Sequence, residues 1–133
     1  MTTDHTAIVT GANHGIGAAT AEALARQGCA VLCTFFRLAD PEDPGIPRKF
    51  RDNRAGDAAA VIARIEHHGG TAVAVEADLS DPATPARLFD AAEERLGPVD
   101  ILVNNATSSV KDTFAARTAD RHGRSLAPVG FAT

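Results

Sequence analysis

Three short segments carry residues whose types and spacing can do chemistry. The run Thr10-Gly11-Ala12-Asn13-His14-Gly15-Ile16-Gly17 sits where an apolar stretch gives way to an alanine-rich, helix-patterned one. Glycines at such a junction let the backbone turn tightly. They also let a pyrophosphate approach the unpaired N–H groups of a helix N-terminus, where the helix dipole favours anions. An ordinary strand-to-helix turn has the same composition, so this run alone leaves both readings open. No glycine-rich loop closes on Gly-Lys-Ser or Gly-Lys-Thr, which excludes the phosphate cradle of nucleoside triphosphatases. Asp78-Leu79 and Asn104-Asn105-Ala106 each follow an apolar run. Singly, Asp78 reads as the start of a turn and the two asparagines as solvated turn formers.

A fourth signal concerns the choice of ligand. Dinucleotide sites that take NAD usually hold the ribose 2′-hydroxyl with an acid roughly twenty residues past the glycines, whereas NADP sites place a base there. Here the second apolar run ends in Phe35-Phe36-Arg37, and no acid follows until Asp40. Arg37, with His14 in the glycine turn, is the candidate partner of a 2′-phosphate, which predicts NADP(H) in preference to NAD(H). The competing reading of Arg37 is a surface arginine at a strand end.

The elements that must position these residues alternate strand and helix. Ala7 to Val9 is a short apolar strand. A helix over Gly15 to Gln27, with Ile16, Ala19, Ala23 and Leu24 on one side, stops at Gly28. Ala30 to Phe35 is nearly continuous in apolar residues, as a parallel strand covered on both faces requires. Leu38 to Asn53 breaks all periodicity with Pro41, Pro44, Gly45 and Pro47 and predicts a long flexible excursion. Ala58, Val61, Ile62 and Ile65 then mark a helix over Arg54 to His68. Thr71 to Val75 reads as a third strand. Asp81-Pro82 suits an N-cap and first helical position, opening a helix that runs to Leu96, and Val99 to Val103 is the fourth strand. Alternation of this kind implies a parallel sheet. Past Thr107 the pattern fades: Lys111 to Arg124 is polar without a helical face, and Ser125 to Thr133 is small, apolar and broken by Pro128 and Gly130.

Composition narrows the function classes. The chain has 133 residues, 44% of them hydrophobic and 23% charged, with a formal net charge of −4, the profile of a globular protein of one domain. A general nucleic-acid binder needs a basic face, whereas the densest cluster here, Arg48, Lys49, Arg51 and Arg54, is interleaved with acids and reads as a solvated loop. No apolar stretch approaches the ~20 residues of a membrane span, and no leader pattern opens the chain, so a cytoplasmic location is expected. Cys33 lies inside the second strand and Cys29 just before it; four extended residues span ~13 Å, too far for the two to bridge without a sharp bend. They are expected to be buried thiols. His5, His14, His67, His68 and His122 show no ligand spacing with them, so no metal site is expected.

Taken in order, the motifs resemble those of the short-chain dehydrogenase/reductase family. Gly11, Gly15 and Gly17 fit its TGxxxGxG turn, Asp78-Leu79 its acidic motif after the third strand, and Asn104-Asn105-Ala106 its Asn-Asn-Ala-Gly segment, with Thr107 in place of the last glycine. The resemblance covers residues 6 to 107. It implies an α/β fold, a Rossmann-type parallel sheet of alternating β-α units in the order 3-2-1-4, ending after the fourth strand. It implies a dinucleotide-binding half over 1–107 and an irregular segment over 108–133 leading to a catalytic half. By residue, it implies that Gly11, Asn13, His14, Gly15, Ile16 and Gly17 hold the diphosphate, that Asp78 and Leu79 face the adenine, and that Asn104 and Ala106 line the nucleotide.

The same family protonates its alkoxide with a tyrosine, acidified by a lysine four residues on, and orients its substrate with a serine. This sequence contains no tyrosine, and its only lysines are Lys49 and Lys111. Ser108, Ser109 and Ser125 lack the catalytic context, so no catalytic residue is assigned. The expectation is the coenzyme-binding portion of an NAD(P)-dependent oxidoreductase, similar to 3-oxoacyl reductases among others and inactive alone. A non-catalytic nucleotide-binding or regulatory module that pairs with a partner remains the alternative. The fourth strand would be an unpaired edge, which predicts a homo-oligomer or a complementing C-terminal half.

Overall fold

Short runs of β-branched and apolar residues, buried from end to end, build the centre of the molecule. In the computed structural model, which describes residues 5–39, 42–108, 112–113, 119, 121–123 and 127–128, β1 (Thr6–Thr10) is buried at every position. β2 (Ala30–Phe35) is buried at all but its first. Together with β3 (Thr71–Glu76) and β4 (Ile101–Val103) they form a parallel sheet in the order β3-β2-β1-β4. The register pairs Thr6 with Ala30, Ala30 with Thr71 and Ala7 with Ile101. Strands buried on both faces have no polar alternation, and that is why these runs read as continuous apolar segments.

Helices cover the two faces unequally. On one face α1 (Gly15–Arg26) and α3 (Ala59–His67) pack Ala18, Ala21, Ala25, Val61 and Ile65 against Val9, Val31 and Cys33. On the other, α4 (Thr84–Arg95) packs Leu88 and Ala92 against Ile8 and Leu32. Complete burial of a side chain such as Ile8 or Leu32 contributes about 1.5–3 kcal/mol. α4 leaves β4 uncovered on that face: Leu102 is 48% exposed, at the edge of the sheet. Near the end of the described chain, β5 (Asp112–Thr113) pairs in parallel with β6 (Ala127–Pro128).

The structure corrects four expectations. The predicted excursion contains a helix, α2 (Arg48–Ala55), separated by a short break from α3. None of its residues is buried, so it has no apolar stripe for a periodicity search to find. α1 turns Gly17, Ala18, Ala21 and Ala25 inward, not the side of Ile16, Ala19, Ala23 and Leu24 named from the sequence, and Ile16 is 78% exposed. Small side chains let the helix lie close to the sheet. α4 begins at Thr84 with Pro85, not Pro82, in its first turn; Asp81 instead closes the preceding turn, its carboxylate accepting from Ala83 N at 2.9 Å. β4 is shorter than Val99 to Val103. Lys111, Ser109 and Ser125 lie outside the described residues.

Candidate functional site

The chain that leaves the carboxyl end of β1 turns sharply into α1 beside the end of β4. Gly11 and Gly15 have φ of +63° and +58° there, conformations that L side chains seldom adopt. Gly17 is required for a different reason: a Cβ on it would stand 2.1 Å from the Gly11 carbonyl oxygen and 2.6 Å from Asn105 Nδ2. The turn and the helix touch backbone to backbone, as the third glycine of such a turn allows. At Gly15 an added Cβ would meet nothing within 4 Å, because that residue faces open space.

The open space is a crevice of about 610 Å³. The amino end of α1 opens onto it through His14, Gly15 and Ile16. The first N–H groups of a helix have no intrahelical acceptor. His14, at the N-cap, supplies no side-chain cap, and the first turn carries no acid. An anion placed there meets unsatisfied donors and the positive end of the helix dipole.

On the opposite side, Asn105 locks the ends of β1 and β4 together. Its Nδ2 donates to the carbonyls of Thr10 at 3.1 Å and Gly11 at 3.2 Å. Its own N–H and that of Ala106 donate to Thr10 Oγ1 at 3.0 and 2.9 Å, and Thr10 Oγ1 in turn donates to the Val103 carbonyl at 3.3 Å. Ala106 thereby comes to line the crevice.

Asp78 stands at the exit of β3. Its carboxylate accepts from Ser80 N at 2.9 Å and Ser80 Oγ at 2.7 Å, and those bonds hold its pKa below the usual aspartate value. The carbonyl of Asp78 accepts from the buried Thr84 hydroxyl at 2.6 Å, which ties this turn to α4. Asp78 and Leu79 both line the crevice. Five of the six exposed large hydrophobic residues of the described chain, Ile16, Phe36, Leu38, Phe50 and Leu79, also line it. A rim of exposed apolar side chains around a polar floor is the usual make-up of a ligand cleft.

The structure therefore brings together Gly11, Asn13, His14, Gly15, Ile16, Asp78, Leu79 and Ala106. Gly17 lies just behind, buried in the floor. Asn104 is exposed and is not part of the lining. Arg37 also stands apart: its Nε donates to Glu76 Oε2 at 2.6 Å and its Nη2 to Glu76 Oε1 at 3.3 Å. That fork raises the arginine pKa and lowers the glutamate's. Asn105, Phe50 and Arg54 line the crevice without having been assigned to it from the sequence. Asn13 accounts for two of these. Its Nδ2 donates to the Gly56 carbonyl at 2.9 Å and the Asn53 carbonyl at 3.4 Å, drawing α2 onto the glycine turn.

Both thiols, Cys29 and Cys33, are buried and form no disulfide. Among the described residues no group of three or more His, Cys, Asp or Glu is placed to hold a metal ion, and no helix is long and apolar enough to cross a membrane. The uncapped helix end beside the unhindered Gly15 leaves room for an anionic group.

Comparison with known proteins bears on the family of the chain. The family model described as the KR domain matches residues 5–129. An uncharacterized oxidoreductase of Methylorubrum extorquens is 40% identical over 100 residues, 75% of this chain and 34% of that protein. L-rhamnose 1-dehydrogenase (NAD(P)(+)) of Azotobacter vinelandii is 41% identical over 103 residues, 77% of this chain and 35% of that protein. Among solved structures, a 3-oxoacyl (acyl-carrier-protein) reductase of Agrobacterium tumefaciens with NADP bound superposes with a TM-score of 0.63 at 38% identity, over 86% of this chain and 37% of that one. A short-chain dehydrogenase/reductase of Serratia marcescens gives 0.65 at 32% identity, over 83% and 38%. The chain spans about a third of the length of the curated relatives it matches. Motif order, strand order and these similarities converge: the chain belongs to the KR domain family of short-chain dehydrogenases/reductases.

Proposed function

We propose that the crevice binds a nicotinamide dinucleotide, NADP(H) in preference to NAD(H), and that the chain is the coenzyme-binding portion of an oxidoreductase. The observation that carries this reading is the opening of the uncapped, acid-free N-terminus of α1 onto a crevice rimmed by five exposed apolar side chains. The helix N-terminus with Gly11, Gly15 and Gly17 takes the diphosphate, and Asn13 and His14 flank it. Ile16, Leu79 and Ala106 supply apolar walls, and Asp78 faces the adenine. Asn104 and Arg37, both outside the lining, take no direct part.

When bound, the coenzyme supplies or accepts hydride, exchanged with a carbonyl or secondary alcohol; a 3-oxoacyl group is one candidate substrate. With no tyrosine in the sequence, this chain offers no phenol to protonate an alkoxide, and it is inactive alone. The relatives' names support the reaction class. The open edge of β4 with exposed Leu102 favours a second reading of the same site, a nucleotide-binding module that pairs with another copy or a complementing C-terminal half. Two buried thiols without a disulfide fit a cytoplasmic setting.

Calorimetric titration of the folded chain with NADPH and NADH tests the reading. Saturable binding of at least one coenzyme is expected, tighter for NADPH. A well-folded sample that gives no heat with either refutes it. Reduction of a ketone panel at a rate typical of complete enzymes would overturn the claim of inactivity.

A further inference from the structure

The second apolar strand ends beside the crevice, where dinucleotide sites distinguish a 2′-hydroxyl from a 2′-phosphate. Thr34, Phe35, Phe36 and Leu38 are the residues of this strand end that line it, so no carboxylate of β2 awaits a hydroxyl. Arg37 is turned away into its two-pronged contact with Glu76. A different arginine occupies the lining. Arg54, from α2, is the one arginine or lysine among the described crevice residues.

Three contacts fix where Arg54 sits. Its own carbonyl accepts from Leu38 N at 2.9 Å, fastening it to the chain that leaves β2. The neighbouring Asn53 and Gly56 carbonyls accept from Asn13 of the glycine turn. Its guanidinium lies over the Phe50 ring, 5.5 Å from the centroid, which orients the charged plane against an apolar face of the crevice. The chain around Arg54 thus links the glycine turn to the segment that leaves β2. Asp78, the carboxylate in the same lining, accepts from Ser80 and lies at the β3 exit.

We infer that Arg54, carried on α2, is the residue that selects a 2′-phosphorylated nucleotide, and that Arg37 is a structural partner of Glu76. The inference rests on the dinucleotide reading above and deepens it by naming the group that reads the phosphate. A planar guanidinium offers paired donors to phosphate oxygens, whereas a ribose hydroxyl gains little from it.

The test is titration of the 133-residue chain and its Arg54→Gln, Arg54→Lys and Arg37→Gln variants with NADPH and NADH, followed by calorimetry and nicotinamide fluorescence. Circular dichroism checks folding. Arg54→Gln is expected to weaken NADPH by about 10- to 100-fold, the range of a lost charge-assisted contact, with NADH changed less than about threefold. Arg54→Lys should retain part of the preference, and Arg37→Gln should leave the ratio of affinities within about twofold. An unchanged ratio in Arg54→Gln, an equal loss of both coenzymes, or a collapse of the ratio in Arg37→Gln alone overturns the assignment. Should Arg54→Gln fail to fold, an Arg54→Lys ratio equal to that of the wild type has the same consequence. If the folded wild-type chain binds neither coenzyme, the dinucleotide reading itself falls, an outcome separate from any change of ratio.

Discussion

Thr10 and Asn105 hold each other from both directions: the Thr10 hydroxyl oxygen accepts the Asn105 backbone N–H at 3.0 Å, while Asn105 Nδ2 donates to the Thr10 carbonyl at 3.1 Å. They are 95 residues apart in sequence, and their contact sets the distance between the glycine turn and the end of β4. Thr10→Val keeps the shape but removes the acceptor used by both Asn105 N and Ala106 N. A buried donor left unsatisfied costs about 1–3 kcal/mol. Urea unfolding should show a loss of that order, and Thr10→Ser, which keeps the oxygen, should recover most of it.

Gly17 and Gly15 should respond differently to the same methyl group. In Gly17→Ala the new atom falls 2.1 Å from the Gly11 oxygen, so the turn and α1 must separate. Overpacking of this kind costs about 1–3 kcal/mol or more, and coenzyme affinity should be lost with it. Gly15→Ala meets no atom but places alanine at φ +58°, a strain of about 1–2 kcal/mol. Thermal unfolding and coenzyme titration together separate the two cases: Gly15→Ala should unfold only slightly earlier yet bind more weakly, because the methyl projects into the crevice.

Burial pushes the Cys33 thiol up to about 12 from 9.0, with the Glu22 charge adding to the effect. A thiol so placed is a poor nucleophile while the protein is folded. In a Cys29→Ala background, labelling by iodoacetamide at pH 8 should be slow and should accelerate sharply in denaturant. Because the folded pKa is raised, the contribution of this group is complete below pH 9 and declines as pH rises toward 12. Cys33→Ala should flatten that alkaline decline.

Asp100 accepts from Thr6 N at 3.1 Å and is paired with His5. The His5 hydrogen bond, followed by that of Thr6, lowers its pKa from 3.8. A depressed carboxylate stabilises the fold above the unfolded value and loses that contribution as pH falls through the folded one. Asp100→Asn should therefore be less stable than the wild type at pH 7. Chemical denaturation in a pH series should show the gap narrowing below about pH 4.

β1 and β2 were readable because they are buried on both faces, which leaves uninterrupted apolar runs; Ala30 to Phe35 matches β2 end for end. The glycine turn was readable because Gly11 and Gly17 answer to steric demands that no other residue meets. What periodicity missed depends on contacts distant in sequence. α2 carries no buried residue and is placed by Asn13 and Leu38, so its part in the crevice has no local signal. The fork between Arg37 and Glu76 spans 39 residues, and nothing near Arg37 announces it. On α1 the side of Ile16, Ala19, Ala23 and Leu24 stood out because it carries the larger residues, whereas the smaller Gly17, Ala18, Ala21 and Ala25 face the sheet and permit the closer approach.

Since α2 buries none of its side chains, its sequence is uncoupled from the integrity of the sheet. Substitutions there leave the interior intact while rewriting one wall of the ligand mouth. The helix can therefore change its outward residues while the packing between sheet and helices α1 and α3 stays as it is.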